Sequence, residues 1–114
     1  MAVKDKGYAR PELLVDTDWL QDRLLEPRIR VVDCGFWQSY TRAHIPGAVG
    51  VRRDHYFKDE TTGSTFIDTP EQFAAEMSAL GIGNETQVVA YDDFGGLWAA
   101  RLWWALTYYG HQDV

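Results

Sequence analysis

The chain has 114 residues, enough for one small domain around one core. Hydrophobic residues make up 46% and aromatics 14%, a globular composition that excludes an intrinsically disordered chain. A net charge of -6 offers nucleic acid no basic footprint, and no apolar run reaches the ~18 residues of a membrane span, so neither nucleic acid nor membrane is an expected partner.

Residues 1–10 are polar and are expected to be flexible, leaving 11–114 as the domain. The opening "MAVKDKGYARPELL" carries charges but no apolar segment of a secretory signal. "ELLV" reads as a short strand. "DTDWLQDRLLEP" reads as a helix capped by Asp16 or Thr17 and ended by Pro27. "IRVVD" is a β-branched run, hence a buried strand ending near Asp33. "FWQSYTRAH" suits one or two helical turns. Pro46 and Gly47 then break the chain before a short strand, "AVGV". Arg52 to Asp68 reads as a long loop.

"TPEQFAAEMSALGIG" is the clearest helix: Thr69 caps it, Pro70 takes the first helical position, and Gln72 completes a capping box. Phe73, Met77 and Leu80 form its buried stripe, and Gly81 ends it. "TQVVAY" is a strand, and a helix follows from Gly96 to Tyr109, stopped by Gly110. Strands alternate with helices, so the class is α/β with a mostly parallel sheet. Sites in such folds lie at the carboxyl ends of the strands. That rule singles out Asp33-Cys34, the turn before Arg52, and Asp92-Asp93.

Cys34 is the only cysteine, which excludes an internal disulfide and a thiolate metal cluster and favours a cytoplasmic setting. Its neighbours Asp33, Phe36 and Trp37 supply no positive charge to make a thiolate, so a buried, inert thiol is expected. His44, in "RAHIPGA", either holds loop backbone or takes a chemical role. His55 is read as solvated and His111 as structural, and the three histidines lack metal-ligand spacing. Trp103 and Trp104 lie on an apolar helix that reads as core or interface. Arg101 interrupts that helix and is expected to pair with Asp92 or Asp93. Gly95 and Gly96 turn the loop after Tyr91, and such strand–loop–helix turns aim backbone N–H groups at an anion. The loop nevertheless begins with two carboxylates. Asp92 as a phosphoryl acceptor would want a second acid two residues on, where Phe94 stands; "DFG" matches a kinase triplet without the rest of a kinase. The structural reading is that Asp92 and Asp93 cap the helix.

Two ordered segments carry a family resemblance. "VVD…Y…AHIPGAVGV" resembles the first signature of rhodanese domains, and "VVAYD…GG…AARLWW…YYGHQDV" resembles the first half of tandem-domain thiosulfate and 3-mercaptopyruvate sulfurtransferases. The likeness runs from about Leu14 to Val114. It implies a rhodanese-like three-layer α/β/α fold. It also implies that Asp92 stands where a catalytic rhodanese domain has its persulfide-forming cysteine, as in the non-catalytic first domain of tandem members. The implied chemistry moves sulfane sulfur from thiosulfate or 3-mercaptopyruvate, through a cysteine persulfide in a second domain, to cyanide or a thiol. No metal or cofactor is implied. The implied partners are a C-terminal rhodanese domain, or the remaining chain, and small sulfur-containing substrates. His44 matches a histidine proposed to assist the second domain's cysteine in some members; the acidic partner proposed with it has no counterpart here. The chain stops at Val114, where the resemblance implies one more strand, between "QVVAY" and "ELLV", so the expectation is an incomplete domain, a fragment inactive alone. The alternative is a stand-alone rhodanese-like binding or regulatory module. A phosphatase relative would need a cysteine at the head of the loop, where Asp92 stands.

Overall fold

The computed structural model describes residues 3–52, 56–59 and 67–114; His55 and most of the loop read at Arg52 to Asp68 lie outside them. Three parallel strands form the sheet, β1 (Ile29–Asp33), β2 (Val49–Gly50) and β3 (Gln87–Tyr91), in the order β2-β1-β3. In the register Asp33 is level with both Gly50 and Tyr91, so all three strands end together. Alternation along β1 and β3 sends neighbouring residues to opposite faces. Ile29, Val31 and Val89 pack with Ala48 and with Leu20 of α1 (Thr17–Gln21). Val32 and Val88 pack on the other face against Phe73 and Met77 of α3 (Pro70–Ala79) and Trp98, Leu102 and Leu106 of α4 (Leu97–Tyr108). The sheet is therefore covered on both faces, a three-layer arrangement. Burying Leu102 and Leu106 completely contributes about 1.5–3 kcal/mol for each side chain.

Local chemistry explains the helix ends. The Thr69 hydroxyl accepts from Gln72 N–H at 3.3 Å while Thr69 N–H donates to Gln72 Oε1 at 3.0 Å, the capping box expected at α3. Past its end, Ile82 N–H reaches back to Met77 O at 2.9 Å around Gly81, whose φ is +81°. A Cβ built on Gly81 would stand 2.6 Å from the Arg30 guanidinium. Gly81→Ala is therefore expected to lower stability by about 1–3 kcal/mol, the scale of left-handed backbone strain on a side-chain-bearing residue; chemical denaturation measures it.

Two expectations are corrected. "ELLV" is not a strand: Pro11–Leu13 is a 3-10 turn, and Leu14 and Val15 are exposed. Proline pre-sets φ for a helical turn, and among the described residues no strand beyond β3 offers this segment a partner. The first helix is also shorter than its pattern. Asp16 accepts from Trp19 N–H at 2.8 Å and so is the cap, but after Gln21 the chain tightens into turns, with Arg23 N–H on Leu20 O.

The last residues run beside β3. Val88 N–H donates to Asp113 O at 2.9 Å, and the His111 ring N–H donates to Thr86 O at 2.8 Å. Arg28 pairs with Asp113 across the same edge. His111 is thus a backbone clamp.

Candidate functional site

The carboxyl ends of β1 and β3 bring the polar residues together. Asp33 is buried at the end of β1; its Oδ1 accepts from Gly35 N–H at 2.9 Å and its Oδ2 from the Tyr91 hydroxyl at 2.9 Å. That hydroxyl in turn accepts from Ile45 N–H at 3.0 Å. The Asp33 carboxylate is thereby satisfied by a backbone donor and a phenol. Burial pushes the Tyr91 phenol up, the Ile45 N–H bond opposes this, and the adjoining Asp33 adds to the rise, to about 12 in all.

Between β1 and β2 lies α2 (Trp37–Arg42). Tyr40 on this helix donates its hydroxyl to Ala48 O at 2.8 Å and stacks on the His44 ring, with centroids 3.9 Å apart. Trp37 stacks on the far side of Tyr40 at 4.9 Å, and the Arg52 guanidinium sits 4.2 Å over Trp37. Gly50 admits this column: a Cβ there would lie 2.7 Å from Tyr40 and 2.8 Å from Trp37. A cleft of about 380 Å³ opens beside it, lined by Asp33, Arg42, His44, Ile45, Tyr91 and Asp93 among others.

Asp92 heads the loop after β3. Its Oδ1 accepts from the N–H groups of Phe94 (3.0 Å) and Gly96 (2.8 Å), and its Oδ2 from those of Trp98 and Ala99 (both 2.9 Å). Gly95 and Gly96, with φ of +70° and +91°, give the loop the left-handed turn that aims these donors inward. The last two donors belong to the first turn of α4, whose N–H groups have no partner within the helix. Partial desolvation pushes the Asp92 carboxyl up, but its four backbone N–H bonds outweigh this, and the net direction is below the ordinary carboxylate value. An anion cradle beginning with an anion is thus self-filled: the loop's N–H groups converge on the carboxylate of its own first residue.

The other candidates fall in different places. Asp93 does not share the capping expected of it, since the capping N–H groups bind Asp92; it is exposed and faces the cleft with His44, whereas Arg101 is on the second turn of α4. Arg101 does not pair with a loop carboxylate. Its Nε donates to Tyr56 O at 2.7 Å and its guanidinium lies 4.7 Å from the Trp104 ring. Asp92 is already saturated by four backbone donors, and a carbonyl and an aromatic face are what Arg101 meets instead. Among the described residues no carboxylate pairs with Arg101, so removing its charge leaves none of them unpaired. Arg101→Met is therefore expected to cost only about 1–2 kcal/mol, one hydrogen bond plus one exposed cation–π contact, in a denaturation experiment. Cys34 is fully buried, and burial first, then Asp92 and Asp33, push its thiol up, away from a nucleophilic thiolate. On α4, Trp103 is half-buried, whereas Trp104 is exposed and stacks on exposed Tyr108, so the aromatic pair divides between core and surface.

Tyr40, Arg42, Gly50 and Tyr91 went unread in the sequence as site residues. Arg42, Gly50 and Tyr91 are marked only by position, at helix and strand ends, and Tyr40 only by its place in the quoted motif.

The rhodanese-like domain profile matches residues 16–114. The chain belongs to the rhodanese-like domain family. It is 43% identical over 109 residues to the sulfur carrier protein TtuD of Thermus thermophilus, covering 95% of this chain and 38% of that protein. It is 38% identical over 112 residues to the mitochondrial thiosulfate/3-mercaptopyruvate sulfurtransferase 1 of Arabidopsis thaliana, covering 90% and 30%. Against the thiosulfate sulfurtransferase of Corynebacterium glutamicum it is 38% identical over 108 residues, covering 94% and 35%. The chain thus spans about a third of the length of these relatives, two of them named sulfurtransferases, which carry more sequence than one rhodanese-like domain of this size.

Proposed function

We propose that this chain is the non-catalytic N-terminal part of a two-domain sulfurtransferase. The observation that carries the reading is the self-filled loop: four backbone N–H groups of the loop and of the first turn of α4 bind the Asp92 carboxylate, where a catalytic rhodanese-like loop would turn N–H groups toward a reacting sulfur. A carboxylate held below its ordinary range is a poor sulfur nucleophile, and the one thiol of the chain is buried and protonated. Chemistry then belongs to a companion domain, and the relatives' extra length supports one. In this reading a companion cysteine thiolate attacks the outer sulfur of thiosulfate, the S–S bond breaks, and sulfite leaves with the electron pair. The resulting persulfide yields its outer sulfur to cyanide or an acceptor thiol. With 3-mercaptopyruvate as donor, the same thiolate attacks the substrate sulfur, the C–S bond breaks with its electron pair going to the enolate of pyruvate, and that enolate takes up the thiol proton and departs as pyruvate. The cleft beside His44 supplies part of the wall for this step, with Arg42 as a cation for an anionic donor. Small anionic sulfur compounds are the substrates, and the cytoplasm, favoured by the lone cysteine, is the setting.

Persulfide mapping by mass spectrometry in the longer gene product, after incubation with thiosulfate, tests this. The added sulfur is expected on a cysteine outside residues 1–114. Finding it on Cys34, or finding no second rhodanese-like segment in the reading frame, contradicts the proposal.

A further inference from the structure

His44 is held from both sides, and the holding residues decide which ring nitrogen faces outward. A carbonyl oxygen can only accept, so the 2.8 Å contact between His44 Nδ1 and Tyr40 O places the proton of the neutral ring on Nδ1. Nε2 then keeps its lone pair. The Tyr40 ring lies against the imidazole at 15°, backed by Trp37 and Arg52, so rotation out of this plane would break the stack. On the chain's other side, the residue after His44 is tied down: Ile45 N–H donates to Tyr91, and Tyr91 donates to buried Asp33. The His44 backbone is therefore fixed to the end of β3 and its ring to α2.

We propose that Tyr40 and Tyr91 are positioning residues that present His44 to the cleft as the Nδ1–H tautomer, with Nε2 as proton acceptor. The Tyr40 carbonyl takes the orienting part that a carboxylate plays in acid–histidine pairs. The proposal rests on the reading that a companion cysteine works at this cleft with His44 beside it, and it adds which residues hold His44 for that task. A thiol brought to Nε2 gives up its proton: the S–H bond breaks, an N–H bond forms, and a thiolate faces an imidazolium. The Tyr40 ring face stabilises that cation.

The test has two arms. Nitrogen-15 spectra of the imidazoles, taken in mildly alkaline buffer with His44→Asn assigning the signals, report the tautomer without any activity. His44 is expected as the Nδ1–H form, and Tyr91→Phe, which deletes only the hydroxyl, is expected to shift it toward a mixture. In the longer gene product, Tyr91→Phe is expected to lower kcat by about tenfold, a fraction of a general base's full effect, with the donor's KM within about twofold. The Nε2–H form in the wild-type chain, or an unchanged tautomer in Tyr91→Phe, overturns the proposal. The expected tautomers with unaltered kcat in both His44→Ala and Tyr91→Phe overturn instead the reading on which it rests.

Discussion

Asp92→Ala is expected to destabilise the domain by about 2 kcal/mol, the upper end of what helix caps contribute. The upper end applies because this one side chain satisfies four N–H groups, two in the loop and two in the first turn of α4. A partly exposed carboxylate gains less from each bond than a buried one, which holds the figure below a sum over four charged bonds. The pH dependence follows from the direction of the shift. The Asp92 carboxyl titrates lower in the folded chain than its reference value of 3.8. Its contribution is therefore fully present above that reference value and is lost as pH falls through the lower folded value. Wild type and Asp92→Ala should accordingly differ most near neutrality and converge in acid. Denaturation midpoints across that range check this, and a difference that persists undiminished at the acid end would mean that something other than the carboxylate's charge is responsible.

Asp92→Cys is expected to leave the chain far short of a working sulfurtransferase, with persulfide formation about 10²–10³-fold slower than a Cys-headed loop gives, the scale of one missing oxyanion donor. Two effects oppose each other at this position. The N–H groups that hold the native carboxylate would favour a thiolate. The exposed acidic side chain of Asp93 next to it disfavours that thiolate and repels an anionic donor. No cation is placed to offset this from α4, because Arg101 is committed to Tyr56 O and the Trp104 ring. Stopped-flow persulfide formation with thiosulfate measures the rate; a rate comparable to that of an authentic catalytic domain would show that the loop lost only its nucleophile.

Local signals in the sequence were sufficient wherever a structural feature depends on residues a few positions apart. The Thr69–Gln72 capping box, the strand ends at Asp33 and Tyr91, and Asp92 as a cap all belong to that class. Arg101 shows the opposite case. Its sequence neighbours include two carboxylates, yet its partner is a carbonyl 45 residues away, and no periodicity points there. The bridge from Tyr91 to Ile45, 46 residues apart, is equally silent in the sequence, and so is the small space at Gly50 that lets Trp37 and Tyr40 stack. "ELLV" misled because β-branched and aliphatic residues describe a strand's side chains and not whether a neighbouring strand exists to bond it.

The Asp92 loop is a filled cradle, and the proposed function makes it a non-catalytic one. Cyanide-dependent thiocyanate formation from thiosulfate by the purified 114-residue chain tests it most directly. The expected rate is that of the uncatalysed background, unchanged by Cys34→Ala. Turnover above background that disappears on Cys34→Ala or on Asp92→Ala would contradict it.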